Sequence, residues 1–293
     1  NIPVQPMEHH YLLTEKIQAV ADAPNRLPCG IDYEANIYFR QERDGLLLGT
    51  YEQRGTPWKV GGTPWDFGHE LLPDDFDKIE DSIAFAYNRF PSLERAGVKS
   101  VIHVPFTFAP DGNTLVGPIP GMRNYWSACA VMAGFSQSGG VGLTLAQWMI
   151  EGEPERVVFA MDCARLGKWI TPGFTVPKVI ENYQRRFSLS SPNEELPASL
   201  GVRRTPMYDT FSAMGAVWGA QFGLEVPNYF AQAAEPDFET PSFRRSNAWE
   251  ATKREVKAVR QAVGINEVHN FSKFLVTGPN ARSWLDQVMA GRI

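Results

Sequence analysis

The sequence is poor in the features that most quickly assign a function. Only three cysteines occur in 293 residues, at Cys29, Cys129 and Cys163. No Cys-x-x-Cys pair is among them, so neither a disulfide framework nor a cysteine-based zinc site is written into the chain, and a reducing compartment is favoured. No apolar run approaches the roughly 20 residues of a membrane span. The longest candidate, around 129–135, is interrupted by Gly134. Basic residues form no block, and the net charge is −5. That balance argues against a general nucleic-acid binder. A phosphate loop with its lysine, a Gly-x-Gly-x-x-Gly dinucleotide turn and a Gly-x-Ser-x-Gly hydrolase elbow are all missing. The opening residues carry no basic and apolar export leader and no initial methionine.

What is present is globular: 43% hydrophobic and 21% charged residues, long enough for about two domains. The stretch "PMEHHYLL" (6–13) alternates like a strand and holds two adjacent histidines, His9 and His10. On a strand, neighbours point to opposite faces, so the two could not readily share a metal, and no metal site is expected. The plainer reading buries one histidine with a satisfied hydrogen bond and exposes the other. "ANIYFRQERDGLLLGTYE" predicts a hairpin turning at Asp44-Gly45, with Ile37 and Phe39 on one face and Tyr38 and Arg40 on the other. "PDDFDKIEDSIAFAYNRFP" predicts a helix with Phe76, Ile79, Ile83, Tyr87 and Phe90 on its core side, Asp74 as N-cap and Pro91 as stop.

"NYWSACAVMAGFSQSGGVGLTLAQWMIEGEP" predicts a buried strand, a small-residue turn over 136–142, and a helix to about Glu151 with Leu145, Trp148 and Met149 inward. Glycines at such a junction let backbone approach a ligand, and the helix start favours an anionic group. Close helix–strand packing explains the same glycines equally well. Tyr38, Tyr51, Trp58 and Trp65 could wall a pocket for a methylated cation, although strand aromatics are more often core. Cys129 suits an inert buried thiol, and Asp111-Gly112 a simple turn. Residues 165–245 look loop-rich. "TKREVKAVRQAVGI" predicts an amphipathic helix, and "KFLVTGPNARSWLDQVM" a strand, a turn and a helix.

Taken in order, "PMEHHYLLTEKI", "YFRQERDGLLLGTYE", "FGHELLPDDFDKIEDSI", "VGPIPGMRNYW", "SGGVGLTLAQWMIEGEPE", "DCARLGKW" and "PSFRRSNAWE" resemble the dimethylglycine dehydrogenases, with sarcosine dehydrogenase and dimethylglycine oxidase in the wider group. The resemblance covers nearly the whole chain. It implies an α+β class: a mixed β-sheet substrate domain of a D-amino-acid-oxidase-like flavoprotein with the final FAD-domain strand and helix (1–163), an irregular connecting region (164–235), and the start of a glycine-cleavage T-protein-like domain (236–293). It implies a piece truncated at both ends, lacking the pyrophosphate-binding turn and binding FAD weakly or not at all by itself. The implied reaction is FAD-dependent oxidative demethylation of an N-methylated glycine, dimethylglycine before sarcosine, with one-carbon transfer to tetrahydrofolate in the complete protein. The implied partners are a small N-methyl amine and an electron acceptor, with no nucleic acid and no membrane. The compartment expected is cytoplasmic, with the mitochondrial matrix as alternative.

Residue by residue, the resemblance places His9 (in "HHY") and Tyr38 at the substrate. His9 is implied to hydrogen-bond or help deprotonate an ammonium substrate, a role suited to an imidazole titrating near working pH. It places Ser138, Gly139, Gly140, Val141 and Gly142 beside the flavin ring, their N–H groups stabilising its reduced form. Gln137 departs from relatives that carry histidine there, which bears on substrate choice. A folate-dependent aminomethyltransferase with a vestigial flavin half, and a non-catalytic binding subunit, are the alternatives.

Overall fold

The computed structural model describes residues 2–221, 223–268 and 273–291. The chain divides into two compact units, 1–202 and 203–293.

The first unit is built on an antiparallel sheet of β1 (Gln5–Thr14), β2 (Gly30–Asp32), β3 (Ile37–Glu42), β4 (Gly45–Thr50) and β5 (Val98–Phe108), in the order β2-β3-β4-β1-β5. A short helix α1 (Gln18–Ala21) follows β1. β1 is central: it pairs with β5 from Gln5↔Phe108 to Thr14↔Val98 and with β4 through Tyr11↔Gly49. The β3–β4 hairpin forms as expected, shifted by one residue. Its two-residue turn is Arg43-Asp44, with the positive φ (53°) on Arg43, while Gly45 already pairs with Glu42. Gly45 is needed for closeness instead: a Cβ there would lie 2.7 Å from the Glu15 carbonyl and the Thr14 hydroxyl.

Helices cover both sheet faces. On one face Leu12, Ile37, Leu46 and Leu48 pack with Ala86 of α2 (Glu80–Arg89) and with Leu93 beyond it. α2 starts after a 3-10 turn at Phe76–Lys78, so Ile79 takes the cap position and Asp74 does not. Ile79 and Ile83 turn inward, whereas Phe76 and Tyr87 are exposed. Pro91 ends the helix and opens another 3-10 turn.

A two-stranded ribbon follows, of β6 (Leu115–Pro118) and β7 (Trp126–Cys129). It leads into α3 (Gly134–Glu151), which ends at left-handed Gly152 (φ 88°). Trp148 packs over Gly117 and against Trp126, while Met149 lies exposed. Arg165 ties the 109–114 turn down: it donates to both carboxylate oxygens of Asp111 (2.7 and 2.9 Å) and to the Thr114 carbonyl. Asp111 is therefore an anchor as well as a turn residue. Burial pushes the Cys129 and Cys163 thiols up, which keeps them protonated and inert.

The stretch that looked loop-rich holds α4 (Pro172–Gln184). Pro172 sits in its first turn, where no N–H is needed, but Pro177 lies inside it. Phe174, Thr175, Val179 and Tyr183 form its buried side. Val179 and Tyr183 close the second sheet face with Met7, Tyr51, Phe108 and Phe187.

The second unit holds α5 (Tyr208–Ala213), an antiparallel hairpin of β8 (Ala216–Gln221) and β9 (Leu224–Phe230), and helices α6 (Ala248–Gln261) and α7 (Ala281–Val288). Its small core joins Val217, Tyr229 and Ala251. The amphipathic helix and the final helix occur where expected. Residues 273–276 form no strand, and 271–272 lie outside the described residues.

Candidate functional site

β1 sends His9 and His10 to opposite faces, as strand alternation requires. Both are nevertheless buried, at 4% and 0% exposure, His9 beneath Tyr183 of α4 and His10 against His103 and Glu52; the expectation of one exposed histidine is corrected. His10 stacks on His103, its cross-strand partner, with ring centroids 3.6 Å apart. Neither ring nitrogen of His10 has a hydrogen-bond partner. Among the described residues, no group of three or more His, Cys, Asp or Glu could hold a metal ion.

His9 is tied at both nitrogens. Nδ1 lies 2.9 Å from the Tyr183 hydroxyl, and Nε2 lies 3.0 Å from the Tyr38 hydroxyl. Tyr183 in turn donates to Glu52 Oε2 at 2.9 Å, and the Thr50 hydroxyl donates to the same oxygen at 3.3 Å. These bonds give the chain a direction. Tyr183 spends its only proton on Glu52, so its oxygen accepts from His9 Nδ1–H. Nε2 then carries the lone pair, and Tyr38 O–H donates to it. The line Tyr38–His9–Tyr183–Glu52 runs from a half-buried phenol to a carboxylate only 3% exposed.

Burial controls the protonation of these groups. Desolvation lowers His9 to about 4, partly opposed by the charge of Glu52, so the ring is neutral at physiological pH. An imidazole this acidic is too weak a base to hold an ammonium's proton. Of the two roles expected for His9, hydrogen bonding and help in deprotonation, the neutral ring fits the first. Burial also pushes Tyr38 and Tyr183 well above the usual phenol range, and Tyr51 up to about 12.

Two glycines make room for this line. At Gly49, opposite Tyr38 in the ladder, a Cβ would fall 1.9 Å from the tyrosine's Cζ. At Gly55 it would fall 2.6 Å from Tyr183 Cδ1. Around His9 stand Tyr51 and Phe106, at 4.9 and 5.1 Å between centroids. The four-membered aromatic wall does not form. Tyr38 and Tyr51 come together (6.1 Å), but Trp58 is buried against Phe67 and Trp65 is fully exposed.

Ser138, Gly139, Gly140, Val141 and Gly142 form no turn. They lie inside α3, which begins at Gly134. Their N–H groups fall within the helical ladder, so those left without a helical acceptor belong to the start of the helix, at Gly134 and Phe135. The amino end has no side-chain cap, and Phe135 is wholly exposed. A Cβ on Gly139, Gly140 or Gly142 would meet nothing within 4 Å. Met132, just before the helix, packs against the cluster that contains Tyr38 and Tyr183. The helix start thus adjoins the His9 cluster, and residues 138–142 follow about 6–12 Å further along its axis at roughly 1.5 Å per residue.

Residues 1–148 match the family described as FAD dependent oxidoreductase. The chain belongs to that family. Residues 207–293 of this oxidoreductase-family chain match a second family, the GCVT N-terminal domain. Dimethylglycine dehydrogenase, mitochondrial, of Mus musculus is 35% identical over 99% of this chain and 34% of its own length. Sarcosine dehydrogenase, mitochondrial, of Homo sapiens is 30% identical over 100% of this chain and 34% of its own length. The mitochondrial pyruvate dehydrogenase phosphatase regulatory subunit of Mus musculus is 28% identical over 94% of the chain and 32% of its own length. The chain spans about a third of the length of these curated relatives. No helix among the described residues is long and apolar enough to cross a membrane.

Of the residues singled out in the sequence, His9 and Tyr38 are hydrogen-bonded to each other. Sequence reasoning missed Tyr183 and Glu52. The four-residue spacing of Val179, Tyr183 and Phe187 was the available signal for Tyr183, masked by Pro172 and Pro177. Nothing in the sequence marked Glu52, two residues beyond β4.

Proposed function

We propose that this chain forms the substrate-facing part of an FAD-dependent dehydrogenase that demethylates an N-methylated glycine, dimethylglycine before sarcosine. In the complete protein the one-carbon unit passes to tetrahydrofolate, and the match of residues 207–293 to the GCVT domain supports that step. The single observation carrying the reading is the Tyr38–His9–Tyr183–Glu52 line, whose outer end is a half-buried phenol with a free acceptor lone pair. An amine N–H can donate to Tyr38, while His9 holds that phenol in place. FAD, when bound, supplies the hydride acceptor. The amino end of α3 fits a flavin edge: it is uncapped, and Gly139, Gly140 and Gly142 leave the helix surface open. In this reading Gly134 and Phe135 offer N–H groups, and Ser138, Gly139, Gly140 and Gly142 allow close approach, while Val141 turns inward as the buried residue of the helix.

The relatives named above are mitochondrial, which supports the mitochondrial alternative over a cytoplasmic location. A non-catalytic role is the second reading, favoured by the similarity to the phosphatase regulatory subunit. Dye reduction by the full-length protein with dimethylglycine and sarcosine, beside His9→Ala, separates the two. Reduction that the variant loses is expected. No flavin reduction by any N-methyl amine rejects the dehydrogenase reading, and folate-dependent methylene transfer without redox assigns an aminomethyltransferase instead.

A further inference from the structure

The established links leave one question open: a substrate amine arrives as an ammonium, its lone pair must be freed before a hydride can leave, and neutral His9 cannot keep the proton. We propose that the line is a directional proton relay, with Glu52 as the group that receives the ammonium proton and Tyr183 as the link that delivers it. This inference rests on the amine-oxidising reading of the site.

The balance is complete within the chain. The substrate N–H bond breaks as a bond forms to Tyr38 oxygen, and the bonding pair stays on nitrogen. The proton Tyr38 held passes to His9 Nε2, the Nδ1 proton passes to Tyr183, and the Tyr183 proton ends on Glu52 Oε2. Four bonds to hydrogen break and four form, with no electron changing owner. The positive charge on the amine and the negative charge on Glu52 disappear together, and no imidazolium accumulates at a site where burial opposes it. Once the substrate has left, the hops reverse and Tyr38 returns the proton to water.

Three observations support Glu52 as the terminus. Its side chain is nearly fully buried, at 2% exposure. Its second oxygen, Oε1, has no hydrogen-bond partner. Among the described residues the one basic group within 4 Å is His10, whose Nδ1 is 3.9 Å from that oxygen. The groups facing Glu52 are His9 and His10 from β1, Tyr38 from β3, Tyr51 from the chain just past β4, and Tyr183 from α4. His103 stands behind His10, and Arg186 binds Tyr51. Tyr183 and Glu52 touch no substrate; they are positioning residues that set which proton His9 carries.

The test uses the full-length holoenzyme with [15N]histidine, as wild type, Tyr183→Phe and Glu52→Gln. Nitrogen resonances should show His9 as the Nδ1–H tautomer in the wild type and as Nε2–H in Tyr183→Phe. Anaerobic flavin reduction by dimethylglycine should slow roughly hundredfold in both variants below the amine's own pKa. It should recover as the pH rises above that value, where substrate arrives already neutral; a purely structural defect would not recover. An Nε2–H tautomer or an imidazolium in the wild type overturns the relay, as does a rate loss equal at every pH. If a variant does not fold, the wild-type tautomer still decides the direction. Wild type that no N-methyl amine reduces overturns the functional reading instead, and the relay with it.

Discussion

Acidification should destabilise the first unit through His9, by an amount the geometry sets. His9 titrates at about 4 in the folded chain because it is buried, against an ordinary 6.5 when unfolding exposes it. Between those values the unfolded chain binds the extra proton, so stability rises with pH there and falls as pH drops from about 6.5 to about 4. The gap of about 2.5 (6.5 less about 4) corresponds to roughly 3 kcal/mol at about 1.4 kcal/mol per pH decade. That is a large part of a domain's typical stability of about 5–15 kcal/mol. His9→Asn isolates the effect. Its amide can still donate to Tyr183, but it does not titrate. His103, which burial also lowers, remains in both proteins and cancels in the difference. Urea unfolding followed by tryptophan fluorescence, in buffers from about pH 7.5 to about pH 4, should show the wild type losing roughly 3 kcal/mol more than His9→Asn. Parallel curves would refute the burial and the neutral state assigned to His9.

Gly49→Ala should force the Tyr38 ring off β4, cost about 1–3 kcal/mol from overpacking, and slow flavin reduction in the full-length protein. Gly55→Ala should act on Tyr183 in the same way, and the difference between the two is readable as loss of opposite His9 hydrogen bonds in 15N spectra. Arg165→Ala should destabilise the first unit by about 2 kcal/mol in denaturant unfolding, since Thr114 and Asp111 lose donors from a side chain only 3% exposed; the half-exposed Asp111 limits the electrostatic share. Leu48→Ala should cost about 2–5 kcal/mol through the cavity left under α2, without changing the tautomer of His9.

Period-two alternation made the divergence of His9 from His10 legible, and the hairpin followed from its flanking strands. The burial of both histidines was not legible, because the cover on one face comes from α4, over 160 residues away in sequence. Two prolines hid that helix, one harmless in its first turn and the other tolerated inside it. The glycines of 138–142 suggested a turn, since glycine weakens helices; they are helical, and the open space at their Cβ positions means no neighbour forces them to be small. Tyr38 was readable by its place before "FR", but its partner through His9 was not, for a hydrogen bond spanning 174 residues leaves no local pattern. The lowered titration of His9 was not legible for the same reason: an imidazole's ordinary pKa says nothing until its burial is known.

The most direct measurement is a crystal structure of the full-length flavoprotein with trimethylglycine, whose quaternary nitrogen has no lone pair to expel a hydride. The account predicts the trimethylammonium head in contact with the Tyr38 ring and hydroxyl, on the α4 face of β1, with the Tyr38–His9–Tyr183–Glu52 bonds intact. A ligand bound on the His10 face, or at a surface away from Tyr38, would contradict it.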